Sequence, residues 1–90
     1  MNDWDEVSYV ISSRYRVLAL RRLAESPATP SQIAREGECS IAHASRALQE
    51  LRDHGLVDLL VSEARQKGRV YGATEQGRSI WETIETENLA

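Results

Sequence analysis

Residues 40–57, SIAHASRALQELRDHGLV, constrain the fold of this chain more than any other stretch. They read as one two-faced helix with a marked start and a marked end. Ala44, Leu48 and Leu51 fall at i, i+4 and i+7, so they share one buried stripe. Ser40 stands where a capping hydroxyl is expected. Gly55 suits the left-handed position beyond the last turn, and Leu56 is placed to fold back onto Leu51. The opposite side carries Ala42, Arg46, Gln49 and Asp53, flanked by His43, Ser45 and Glu50.

Such a helix needs partners for its apolar stripe, and the flanking sequence supplies them. Residues from about Val7 to Ser12 form a first helix, with Tyr9, Val10 and Ile11 as its expected buried face. A second helix is expected over Ser13 to Glu25, with Tyr15, Val17, Leu18, Leu20 and Leu23 inward. Arg14, Arg16, Arg21 and Arg22 take its solvent side, and Pro27 ends it because proline cannot continue the ladder. Thr29-Pro30-Ser31-Gln32 is a compact helix start with a cap, a proline at the first position and a capping-box glutamine. The short third helix that follows turns Ile33 and Ala34 inward and stops near Gly37. Only residues around Gly37-Glu38-Cys39 separate it from the Ser40 helix, which is helix-turn-helix spacing.

Val57 to Ser62 reads as a strand, Val70 to Ala73 as its partner, and Glu63 to Arg69 as a basic turn between them. Thr74 caps a last helix carrying Ile80, Trp81 and Ile84. The expected fold class is mainly α with a small β-hairpin (α+β), in one domain over residues 1–90. The helix-turn-helix spans about 29–54, the hairpin about 57–74 and the last helix about 75–87. A chain of 90 residues buries only roughly 60–65% of its unfolded surface, so its core is thin and a homodimer is a natural source of extra stability. Ile80, Trp81 and Ile84 exceed what so small a core needs and, with Tyr9 on the first helix, form the expected dimer contact. Trp4 reads as core or interface.

Several function classes fall away. There is no Gly-rich phosphate loop, no supported Ser/His/Asp arrangement and no metal-ligand spacing, so neither enzyme activity nor a cofactor or metal is expected. Cys39 is the sole cysteine, which rules out a disulfide or a thiolate cluster within one chain. No long apolar run and no basic-then-apolar leader occur, so the expectation is a cytoplasmic protein without a membrane partner. No site for a small-molecule effector is evident. The formal net charge is −3, but the signs are separated. Acids crowd the two ends, while Arg65, Lys67, Arg69 and Arg78 crowd the hairpin region with only Glu75 among them. A polyanion feels the local potential of the face it meets rather than the total.

SRYRVLALRRLAES, TPSQIAREGECSIAHASRALQELRDHGLV and GRVYGATEQGR, in this order, resemble the winged helix-turn-helix transcription regulators, nearest to the ArsR-like and MarR-like groups. The resemblance implies sequence-dependent binding of double-stranded DNA as a symmetric dimer. It places the first half of the Ser40 helix in the major groove. Arg46 would read a guanine edge, His43 and Gln49 neighbouring bases, and Ala42 a thymine methyl. Ser31, Ser40 and Ser45 would hold phosphates. Arg65, Lys67 and Arg69 would lie along the backbone or minor groove as the wing. The cysteine pair of ArsR-like metal sensors is missing, which argues against metal sensing of that kind.

Plainer readings stand beside these. Arg46 is spaced to pair with Glu50 on its own helix, His43 reads equally as an exposed polar residue, and Arg65–Arg69 as a solvated turn. His54 suits the negative end of the helix dipole. Glu50 and Asp53 would repel phosphate, confining any DNA contact to Ser40 through Gln49. As a whole, the same fold is also compatible with a protein-interaction module, or with an architectural or plasmid-maintenance DNA binder without regulatory output.

Overall fold

In a computed structural model, which describes residues 3–61 and 69–90, the chain forms five helices and one hairpin. The elements are α1 (Asp3–Ile11), α2 (Arg14–Glu25), α3 (Pro30–Gly37), α4 (Ile41–Asp53), β1 (Val57–Val61), β2 (Val70–Ala73) and α5 (Glu75–Thr86). This is the expected fold class and element order. The Glu63–Arg69 turn lies outside the described residues apart from Arg69.

Local chemistry sets the helix ends. Ser13, Thr29, Ser40 and Thr74 each accept a backbone N–H from the first turn of the helix they precede. Thr29 and Gln32 close the reciprocal capping box, with Thr29 N donating to Gln32 Oε1 at 2.9 Å. α3 stops at Gly37 as expected, and Glu38 takes the left-handed position after it, with φ 55°. Gly37 is the point where α3 approaches α2, since a Cβ there would stand 3.0 Å from Leu18 Cδ1.

The core is shared by every helix and the hairpin. α4 contributes Ala44, Ala47, Leu48 and Leu51, the expected stripe plus one alanine, and packs against both α2 and α3. On α1 the buried pair is Val7 and Val10, one helical turn apart, while Ile11 is 37% exposed. The expected face Tyr9-Val10-Ile11 was out of phase, because three consecutive residues cannot share one side of a helix. β1 and β2 pair antiparallel through Val57–Ala73, Asp58–Gly72 and Leu59–Tyr71, with an irregularity before Val61–Val70. Tyr71 also exchanges two backbone hydrogen bonds with Ala28, at 2.9 and 3.0 Å, tying the hairpin to the segment between α2 and α3.

The expected dimer residues on α5 are used inside the chain. Ile80, Trp81 and Ile84 are 1%, 8% and 0% exposed and belong to the single core cluster. They therefore present almost no side-chain surface to a second copy. α5 completes the core that the other elements leave open. Trp4, in contrast, is 49% exposed.

The junction between α4, the hairpin and α5 is closely packed. Gly55 has φ 74° and Leu56 N returns to Leu51 O at 3.0 Å, which ends α4 as expected. Thr74 N then donates to Leu56 O at 3.0 Å, and Thr74 Oγ1 donates to Gly55 O at 2.7 Å while accepting Gly77 N at 3.0 Å. Gly77 lies against the same turn: a Cβ there would fall 2.0 Å from Leu56 O. On an exposed helix Gly→Ala stabilises by about 1 kcal/mol. At Gly77 the backbone clash reverses the sign, and Gly77→Ala is expected to cost roughly 1–3 kcal/mol as overpacking. Urea denaturation checks this; a midpoint at or above wild type would show that the junction yields without cost.

Candidate nucleic-acid interface

α4 turns Ala44, Ala47, Leu48 and Leu51 to the core and exposes a largely polar side, with Ile41 also exposed at its start. Ala42, His43, Ser45, Arg46 and Gln49 are exposed, as are Asp53 at its last residue and Ser31 in the first turn of α3. The helix-turn-helix thus presents all the expected α3 and α4 residues to solvent. Ser40 is exposed too, but its Oγ already accepts His43 N at 3.1 Å as the α4 cap. Arg69, just before β2, is exposed; Arg65 and Lys67 lie outside the described residues.

The acids of α4 are arranged differently from expectation. Glu50 does not pair with Arg46. Its Oε1 accepts from Arg16 Nη1 at 3.0 Å, across from α2. Arg16 was expected to face solvent, yet its side chain is only 14% exposed. Its Nε donates to Tyr9 O at 2.8 Å, its Nη2 to Ser12 Oγ at 3.0 Å, and its guanidinium lies 4.0 Å from the centroid of the Tyr9 ring. One arginine therefore ties α1, α2 and α4 together and neutralises Glu50. Arg46 has no ion-pair partner among the described residues.

Two aromatic stacks flank this arginine. The His54 ring lies 3.7 Å from the Tyr9 ring, centroid to centroid and 12° from parallel, and His54 Nδ1 is 2.8 Å from Glu6 Oε1. His54 is thus a clasp between α4 and α1 as well as the residue closing the α4 C-terminus. Burial pushes the Tyr9 phenol above its ordinary range. On the other side His43 stacks on Tyr15, at 4.4 Å and 11° from parallel. Tyr15, His43, Arg46, Arg16, Ser13 and Glu50 line a groove of about 290 Å³ between the start of α2 and α4. None of these side-chain pairs carries a local sequence signal, since their members lie far apart along the chain.

No side-chain donor or acceptor is buried without a partner among the described residues, and no group of three His, Cys, Asp or Glu there is placed to hold a metal. No helix among the described residues is long and apolar enough to cross a membrane.

Removing the arginine tests the electrostatic arrangement. Arg16→Met is expected to cost roughly 1–3 kcal/mol, since three hydrogen bonds from a charged donor are lost and Glu50 is stranded. Adding Glu50→Gln should recover part of the loss. A thermal midpoint unchanged by Arg16→Met would show that the cluster carries no stability.

Solved structures of similar fold include proteins named as transcription regulators. The ZitR C30AH42A mutant from Lactococcus lactis superposes with a TM-score of 0.76 at 21% identity, covering 84% of this chain and 52% of its own. The transcriptional regulator SlyA gives 0.72 at 27% identity, over 82% of this chain and 53% of its own. NMB1585, a MarR family regulator from Neisseria meningitidis, gives 0.74 at 18% identity over 99% of this chain and 74% of its own. The fold is therefore the winged helix of MarR-family regulators, with β1 and β2 as the wing strands. The chain spans about half the length of ZitR and SlyA. No curated protein matches it closely enough to count as a relative. The family described as HVO_A0261 N-terminal domain matches residues 4–88, and the chain belongs to that family.

Proposed function

We propose that this chain is a sequence-specific DNA-binding transcription regulator that acts as a homodimer, with α4 in the major groove and the wing on the backbone or minor groove. One observation carries the reading: the exposed side of α4 offers Arg46 without an ion-pair partner among the described residues, while Glu50, four residues on, is held by Arg16. The regulator names of its structural neighbours support the same reading. In this arrangement Arg46 reads a guanine edge with its planar fork, His43 and Gln49 reach neighbouring bases, and Ala42 meets a thymine methyl. Ser31, Ser40 and Ser45 hold phosphates, and Arg65, Lys67 and Arg69 follow the backbone. With Glu50 held by Arg16, its charge no longer opposes phosphate along Ser40 to Gln49.

Dimer formation has a different surface to use from the one expected. Trp4, Ile11 and Leu89 are exposed apolar side chains on α1 and beyond the end of α5, two helices that pack on each other. The alternative reading, a winged-helix module that docks a protein, rests on Ile41 and Leu60, each 55% exposed near the start of α4 and on the wing.

Selection of bound duplexes from a random pool, followed by a salt titration, separates the two readings. A DNA reader yields a palindromic consensus, and log K falls linearly with log salt at a slope of about 0.9 per phosphate neutralised. If purified protein binds no duplex at low salt, the DNA reading fails. Arg46→Ala should relax the preference at one base pair and cost roughly 1–3 kcal/mol on the consensus duplex. An equal loss on every sequence would reassign Arg46 to a phosphate.

A further inference from the structure

We propose that Tyr15, on α2, is a positioning residue for sequence discrimination: its ring holds the imidazole of His43 so that the edge of that imidazole meets the DNA groove. The proposal rests on the DNA reading above and extends the specificity machinery beyond the helix-turn-helix. The two rings are 11° from parallel with centroids 4.4 Å apart, so Tyr15 covers one face of His43 and leaves the edge. His43 is exposed, and its side chain forms no hydrogen bond among the described residues, so both ring nitrogens remain available to a base edge. An exposed imidazole without such support must be ordered on binding, and ordering a side chain reduces affinity and blurs discrimination.

Tyr15 is a fixed platform rather than another mobile side chain. It is half-buried and packed against the core cluster. The backbone of His43 is fixed from the other side, through its N–H to the Ser40 cap at 3.1 Å. The Arg14 guanidinium carbon lies 5.4 Å from the centroid of the Tyr15 ring, and Arg46 lines the same groove, so cationic groups border the stack on both α2 and α4. The aromatic residue thus joins the start of α2 to the reading surface of α4.

The test compares binding of the selected duplex with binding of single-base variants, for wild type, Tyr15→Leu, Tyr15→Phe, His43→Ala and the Tyr15→Leu/His43→Ala pair. Tyr15→Leu should cut discrimination at one base-pair step roughly threefold to tenfold, less than the roughly five- to 150-fold of a full bidentate base contact. Tyr15→Phe, which keeps the ring, should restore it. In the His43→Ala background Tyr15→Leu should have no further effect, the non-additivity expected of a pair acting as a unit. Tyr15→Met is measured alongside, so that one poorly folded variant does not decide the outcome. Wild-type discrimination in the Leu and Met variants, or losses that multiply in the double variant, would overturn the proposal while leaving the DNA reading intact. Wild-type protein that binds no DNA would overturn both.

Discussion

The contact on which the rest of this structure depends is the one between the turn closing α4 and the start of α5. Gly55 turns the chain through a left-handed conformation, Leu56 returns to the core, and both carbonyls are taken up by Thr74. The missing side chain of Gly77 lets the α5 backbone lie directly on Leu56. These few residues set where α4 ends, how β1 leaves it and how α5 crosses behind it. Without them the α4 stripe would still be apolar, but its angle to the wing would be free, and a reading surface requires that angle to be fixed.

A second constraint is electrostatic. A small acidic protein can meet a polyanion only if the face it offers is relieved of its own negative charge. In the proposed DNA reading Arg16 does this by reaching from α2 to Glu50 while anchoring itself on Tyr9 O and Ser12. An exposed pair of this kind would contribute little; here the arginine is mostly enclosed and has several acceptors, so it acts as a joint between three helices. His54, Glu6 and Tyr9 complete that joint from the α1 side.

How much of this was legible in the sequence follows from the range of each interaction. The caps at Ser40 and Thr29, the Ala44-Leu48-Leu51 stripe and the glycine at 55 are local signals, and all were readable. The Thr74-Glu75-Gln76-Gly77 run was visible as a pattern, but its reason, the approach of Gly77 to Leu56, is tertiary. Arg16–Glu50, Tyr15–His43 and Glu6–His54 join positions with no local signature, so by sequence Arg16 looks like a solvent residue and His43 like a lone polar one. Ile80, Trp81 and Ile84 were legible as a helical apolar face, but whether such a face meets the same chain or another depends on how much core the other helices leave open. The residues that contact DNA are legible only as candidates, because exposure and chemistry define what a side chain can touch rather than what it does touch.

The most direct measurement of the central claim is an NMR titration of the isotopically labelled protein with a duplex selected from a random pool. If α4 is the reading element, amide shifts will concentrate on Ser40 through Gln49, with a second group near Ser31 and Arg69, and Arg46 will show the largest side-chain change. Perturbations confined to α1 and α5, or to Leu60 and the wing alone, would contradict the account and make the exposed side of α4 a bystander.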